Sequence, residues 1–167
     1  MAVRVLIADD EPPARRKLRA HMASDLRVEV AGEAEDGLKA AEAVRLLAPD
    51  LVFLDIQMPG LGGVEVIEAV GADEMPPVVF VTAYDQFAIR AFEVEAVDYL
   101  LKPFDEERFR RALDRALARI EAKVSERERM ARLLEAVAPR PAHLQRLVAR
   151  KGDRLLLIPV GEIVRIS

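Results

Sequence analysis

The sequence predicts an α/β fold, a parallel sheet with helices on both faces, and three observations carry that prediction. Short apolar runs alternate with helical patterns along most of the chain. The composition is 51% hydrophobic but only 5% aromatic, which suits an aliphatic core. Charged residues close the runs: Asp9 and Asp10 after Val-Arg-Val-Leu-Ile-Ala, Asp55 after Leu-Val-Phe-Leu, and Lys102 after Asp-Tyr-Leu-Leu. Parallel strands would gather all four at one carboxyl edge, where open α/β folds place their ligands.

In chain order the apolar runs place strands at Val3–Ala8, Arg27–Gly32, Leu51–Leu54, Val78–Val81 and Ala96–Leu100. Helices are expected at Pro12–Ala23, Gly37–Leu47, Gly63–Val70, Tyr84–Phe92 and from Asp105 onward. Pro12 and Pro13 fit a helix's first turn, and Asp105 fits an N-cap with Phe109 and Leu113 opening the buried face. The last helix has no early stop. Leu113, Leu117, Ile120, Val124, Arg127, Ala131, Leu134 and Ala138 follow alternating spacings of four and three, the seam of a coiled coil with one arginine in it, or else a solvated linker helix. Pro139 and Pro141 end it. Beyond lie Leu-Val-Ala-Arg, Leu-Leu-Leu-Ile-Pro-Val and Glu-Ile-Val-Arg-Ile, with turns at Lys151-Gly152-Asp153 and Gly161-Glu162. These last residues are too few to bury a core and read as the opening of a β-rich domain.

Bulk properties exclude several classes. No cysteine is present and the only histidines are His21 and His143, so thiolate and histidine-rich metal sites are out, and both histidines are expected to be solvated. No apolar run is long enough for a membrane span, and the start enters a strand directly, so a soluble cytoplasmic protein without a signal peptide is expected. The net charge of −4 is uneven: residues 1–122 hold 15 basic and 24 acidic side chains, and residues 123–167 hold 10 and 5. The first part is thus a poor polyanion binder, whereas the second suits an approach to nucleic acid or a solvated arginine-rich helix. No Gly-x-x-x-x-Gly-Lys phosphate loop is present.

Three converging carboxylates repel, and a hard cation such as Mg²⁺ relieves this through oxygen ligands. A carboxylate attacking a phosphoryl group needs the same neutralisation. Asp55 is therefore the candidate nucleophile, Asp9 and Asp10 the candidate Mg²⁺ ligands, and Lys102 and the Thr82 hydroxyl the candidate contacts to phosphoryl oxygens.

Asp-Asp-Glu-Pro, Asp-Ile-Gln-Met-Pro-Gly, Val-Thr-Ala-Tyr and Asp-Tyr-Leu-Leu-Lys-Pro-Phe strongly resemble the receiver domain of two-component response regulators, from Met1 to about Ile120. The resemblance implies a five-stranded doubly wound sheet of flavodoxin-like order 2-1-3-4-5, with phosphorylation of Asp55 by a sensor histidine kinase. It implies Asp10 as direct metal ligand, Asp9 as its water-mediated partner, the Gln57 backbone carbonyl as a further ligand, and a cis peptide before Pro103. Thr82 and Tyr99 match the family's switch pair, and the small Ala83 leaves the phosphoryl site accessible. The face of the fourth helix, fifth strand and fifth helix commonly pairs subunits, so a homodimer is implied, with Arg90, Glu93, Glu95, Asp98, Arg111 and Arg115 available for salt bridges. The run from Tyr84 to Phe104, and Val148 onward, look like the LytTR type of regulator, which implies a DNA-binding parent protein. The implied organisation is a receiver over 1–122, a helical linker over 123–141, and the start of a LytTR-like DNA-binding domain over 142–167.

A receiver is a phosphoacceptor rather than an enzyme. Two other readings stand beside it. A phosphohydrolase of the haloacid dehalogenase type also uses a strand-end aspartate but needs a second acid two residues on, where this chain has Gln57. A receiver-like module that only dimerises would need none of the site chemistry.

Overall fold

The computed structural model describes residues 2–83, 85 and 95–137, and the backbone of 146–151 and 154–159. The chain divides into two units, Met1–Ile120 and Glu121–Ser167. The first unit holds β1 (Val3–Ala8), α1 (Pro12–Ala23), β2 (Val28–Ala34), α2 (Gly37–Leu47), β3 (Leu51–Asp55), α3 (Gly63–Val70), β4 (Val78–Thr82), β5 (Asp98–Leu101) and the first half of α4 (Glu106–Val137). Its five strands are all parallel and ordered β2-β1-β3-β4-β5. This is the order that the resemblance to receiver domains implies.

Strand alternation sorts the core into two halves. Leu6, Ala8, Val52, Leu54, Val78 and Phe80 point to the side of α2 and α3. Val5, Ile7, Leu51, Phe53, Val79 and Val81 point to the other, where Leu18 and Met22 of α1 and Phe109, Ala112, Leu113 and Ala116 of α4 meet them. Every residue of β3 and β4 is buried, which explains why those runs read as continuously apolar rather than alternating. Helix starts follow local chemistry. Asp36 Oδ1 accepts a hydrogen bond from Lys39 N at 2.8 Å, Asp105 Oδ1 accepts one from Arg108 N at 2.8 Å, and α1 opens on its two prolines.

Three details differ from the expectations. β2 continues to Ala34, and the β1–β2 register skips between Val5 and Leu6, leaving Ala31 as the extra residue of a bulge. Pairing with β1 carries the strand past Gly32, where sequence punctuation suggested an end. β5 begins at Asp98 and includes Leu101. His21 is half-buried rather than fully solvated: its ring stacks on Phe109 at a centroid distance of 5.0 Å, lies 6.0 Å from Phe104, and buries Nε2. The chain reversal that brings α4 against α1 supplies those rings, and nothing within the first helix announces them. The helix expected over Tyr84–Phe92, Arg90 and Glu93, and His143 lie outside the described residues.

In the second unit, α4 runs on to Val137, and β6 (Arg146–Lys151) pairs antiparallel with β7 (Arg154–Pro159). Lys151 lies opposite Arg154, closing a hairpin where the sequence places its turn. The second expected turn, at Gly161-Glu162, is outside the described residues. Among the described residues no helix is long and apolar enough to cross a membrane.

Candidate phosphoryl-acceptor site

The carboxyl ends of β1, β3 and β5 deliver the charged residues to one cleft. Asp9 follows β1 and is buried, Asp55 ends β3 and is buried, and Asp10 is more open to solvent. One carboxylate oxygen from each of the three lies within 4.8 Å of the others. Lys102, following β5, reaches across the sheet. Its Nζ is 2.9 Å from Asp9 Oδ2, 3.0 Å from Glu11 Oε1 and 3.6 Å from Asp55 Oδ2. The Lys102–Pro103 peptide bond is cis.

Backbone groups orient the acids. Asp9 Oδ1 accepts from Glu11 N at 2.9 Å, and Asp55 Oδ1 accepts from Gln57 N at 3.2 Å. Gly63 N donates to Ile56 O at 2.8 Å, drawing the start of α3 against the loop that follows Asp55. That approach requires glycine, because a Cβ at Gly63 would stand 2.5 Å from the Asp55 carbonyl oxygen. The open part of the cleft, about 720 Å³, is lined by Asp10, Gln57, Met58, Gly60, Ala83 and Lys102 among others.

Electrostatics set the chemistry. Burial first, and then the neighbouring Asp9 charge, raise the Asp55 carboxyl to about 7 against the opposing pull of Lys102. Burial alone would lower the Lys102 ammonium, but its contacts with Asp9 and Glu11, and the charge of Asp55, outweigh burial and carry it above its usual range. One cation thus serves three carboxylates. Asp9 Oδ2 is buried, with the Lys102 ammonium 2.9 Å away as its partner. An all-oxygen donor set from three converging carboxylates, two of them buried, fits a hard divalent cation such as Mg²⁺.

The remaining sequence candidates occupy different surroundings. Thr82 ends β4 fully buried, and its carbonyl accepts from Lys102 N at 2.7 Å. Tyr99 pairs with Phe80 across the sheet and packs half-buried on the α2–α3 side of the core. Neither lines the open cleft. Gln57 is exposed at the rim.

Two functional neighbours were not foreseen. Glu11 is the second partner of Lys102, and its only signal in the sequence was its position directly after the acid pair. Arg108 clamps Asp98 with bonds of 3.0 and 2.9 Å and also donates to the Tyr99 carbonyl at 2.9 Å. Arg115 adds a third contact to Asp98 at 3.1 Å. Burial would raise the Asp98 carboxyl, but the Arg108 guanidinium, with the Tyr99 amide and Arg115, takes it below its ordinary range. Asp98 is therefore bound within its own chain rather than left as a loose surface charge.

A family profile for the response regulator receiver domain matches residues 5–114. An uncharacterised response regulatory protein of Yersinia pestis is 49% identical over 113 residues, 68% of this chain and 48% of that protein. The transcriptional regulatory protein BtsR of Escherichia coli is 43% identical over 126 residues, 75% of this chain and 51% of BtsR. The chain spans about half the length of these curated relatives. Among solved structures, the response regulatory domain of mrkE from Klebsiella pneumoniae superposes with a TM-score of 0.65 at 33% identity, covering 71% of this chain and 98% of that domain. With the sheet order, the acidic cleft and these likenesses in agreement, the chain belongs to the response regulator receiver family.

Proposed function

We propose that Asp55 accepts a phosphoryl group from the phosphohistidine of a sensor histidine kinase, and that this modification controls the output of a two-component response regulator. The observation that carries this reading is the placement of Asp55 beside Asp9 and Asp10 with Lys102 as their shared cation. In the transfer an Asp55 carboxylate oxygen bonds to phosphorus while the bond from phosphorus to the kinase imidazole breaks, and the imidazole nitrogen keeps the electron pair. The site acts by positioning and by neutralising charge, so the chain is a phosphoacceptor rather than an enzyme with turnover.

Asp10, Asp9, Asp55 and the backbone carbonyl of Gln57 would hold Mg²⁺, which when bound offsets the carboxylate charge and polarises a phosphoryl oxygen. Lys102 exchanges its contacts with Glu11 and Asp55 for a phosphoryl oxygen. Thr82 and Tyr99 form the switch, the hydroxyl following the new charge and the ring moving with it. Output follows through a homodimer built on the helix expected at 84–92, β5 and α4, and through DNA binding by a LytTR-like parent protein whose DNA-binding domain begins near residue 142. The naming of the relative BtsR as a transcriptional regulatory protein supports a transcriptional output.

The test is incubation of the chain with a small phosphodonor and Mg²⁺, read by intact mass. One hydroxylamine-labile phosphoryl group is expected, absent in Asp55→Asn and absent after chelation. An unmodified chain under conditions that label a control receiver refutes the proposal.

A further inference from the structure

Past Ile120, α4 continues over residues 121–137 with every residue exposed. A solvated helix is normally polar all round or laced with ion pairs four residues apart. This stretch is not polar all round: Val124, Met130, Leu133, Leu134 and Val137 are 46%, 54%, 55%, 62% and 73% exposed, and all but Leu133, at heptad position c, fall on or beside one seam. Lys123, Arg127 and Glu128 form no ion pair among the described residues. Unused apolar surface and unused charge thus share one segment.

Heptad positions order both. Val124 and Ala131 fall at a, while Ile120, Arg127 and Leu134 fall at d. Position e is acidic throughout, with Glu121, Glu128 and Glu135, and position g holds Lys123, Met130 and Val137. Two such helices side by side and antiparallel would set e against e, stacking carboxylates. Parallel and in register, e meets g, which brings Lys123 to the partner subunit's Glu128. Arg127 at d also neighbours that glutamate.

We infer that residues 121–137 pair with the same segment of a second copy as a parallel two-stranded coiled coil, keyed by Lys123 and Glu128 across the seam. Charge complementarity selects a second copy of this chain, because each helix carries both halves of the pair and leaves both without an ion pair of their own. The pairing does not require phosphorylation of Asp55 and uses α4 beyond Ile120, past the part of the helix that packs on the sheet.

The chain has no cysteine, so single-cysteine variants of the whole chain report this geometry directly. At a, Val124→Cys brings two thiols together only in a parallel, in-register pair, whereas Arg129→Cys at f faces away. Under mild oxidation of dilute protein, Val124→Cys is expected to give a covalent dimer roughly ten times faster than Arg129→Cys. Adding Lys123→Glu or Glu128→Lys to Val124→Cys should slow crosslinking roughly tenfold, and the two reversals together should restore it, since the paired charges attract again with signs exchanged. Equal rates for the two cysteines, or charge reversals without effect, overturn the inference. So does a monomer whose Val124→Cys thiol resists a small maleimide, which would assign the seam to other residues of the same chain. Acyl phosphate formation at Asp55, measured on the same variants, separates failure of this pairing from failure of the receiver function.

Discussion

Replacing Asp55 by asparagine should make the metal-free protein more stable while abolishing phosphorylation. The folded-state carboxyl sits at about 7 against an ordinary value of 3.8. At about 1.36 kcal/mol per pH unit, that displacement corresponds to an upper limit of about 4 kcal/mol against the ionised form. The cleft opens to solvent on one side, so about half of this, roughly 2 kcal/mol, is the expected gain. The sign follows from linkage. A carboxyl whose folded value is raised contributes stability that is full below 3.8 and lost as pH climbs to about 7. Wild type should therefore weaken across that window relative to Asp55→Asn, and remain weaker by a constant amount above it. Urea unfolding in chelator at pH 8 should place the variant's midpoint about 1 M higher, given slopes of about 1–3 kcal/mol per molar urea for domains of this size. Millimolar Mg²⁺ should close much of the gap by stabilising wild type alone. A variant no more stable than wild type at pH 8, or a gap that Mg²⁺ leaves untouched, would refute the electrostatic reasoning.

Lys102→Met should cost about 3 kcal/mol at pH 8 by leaving Asp9 and Asp55 without their cation, and distinctly less in an Asp55→Asn background; a double-mutant cycle in urea measures that coupling. Gly63→Ala should cost about 2 kcal/mol and reduce the phosphorylation rate, because a methyl 2.5 Å from the Asp55 carbonyl oxygen must displace the acceptor loop. Thermal melts and phosphodonor kinetics on the one variant check both parts. Asp98→Ala should cost about 2 kcal/mol by releasing Arg108 and Arg115, and the loss should shrink in acid, because a lowered carboxyl contributes above its unfolded value and stops contributing as pH falls below its folded one. Unfolding at pH 7 and pH 3 distinguishes this from a simple loss of packing.

Most of the fold was legible because two periodicities were clean. The helices at Pro12–Ala23, Gly37–Leu47 and Gly63–Val70 and the strand at Val3–Ala8 have the expected limits. Apolar runs ending in Asp9, Asp55 and Lys102 located the cleft, since strand ends in a parallel sheet share one edge. The β1–β2 bulge was hidden because register depends on the neighbouring strand. Glu11 was hidden because its partner Lys102 lies 91 residues away, and Arg108 because its bond to Asp98 depends on how the turn after β5 sets α4 against that strand. His21 was misread for the same reason, since only packing against Phe104 and Phe109 distinguishes it from any other surface-helix histidine.

The reach of Lys102 from the last strand to the acids of the first gives the domain a means of self-inspection. A chain cut short before β5 carries every carboxylate but lacks the ammonium that bridges them. Charge balance in the cleft thus arrives only with completion of the sheet, so the cluster reports a finished fold.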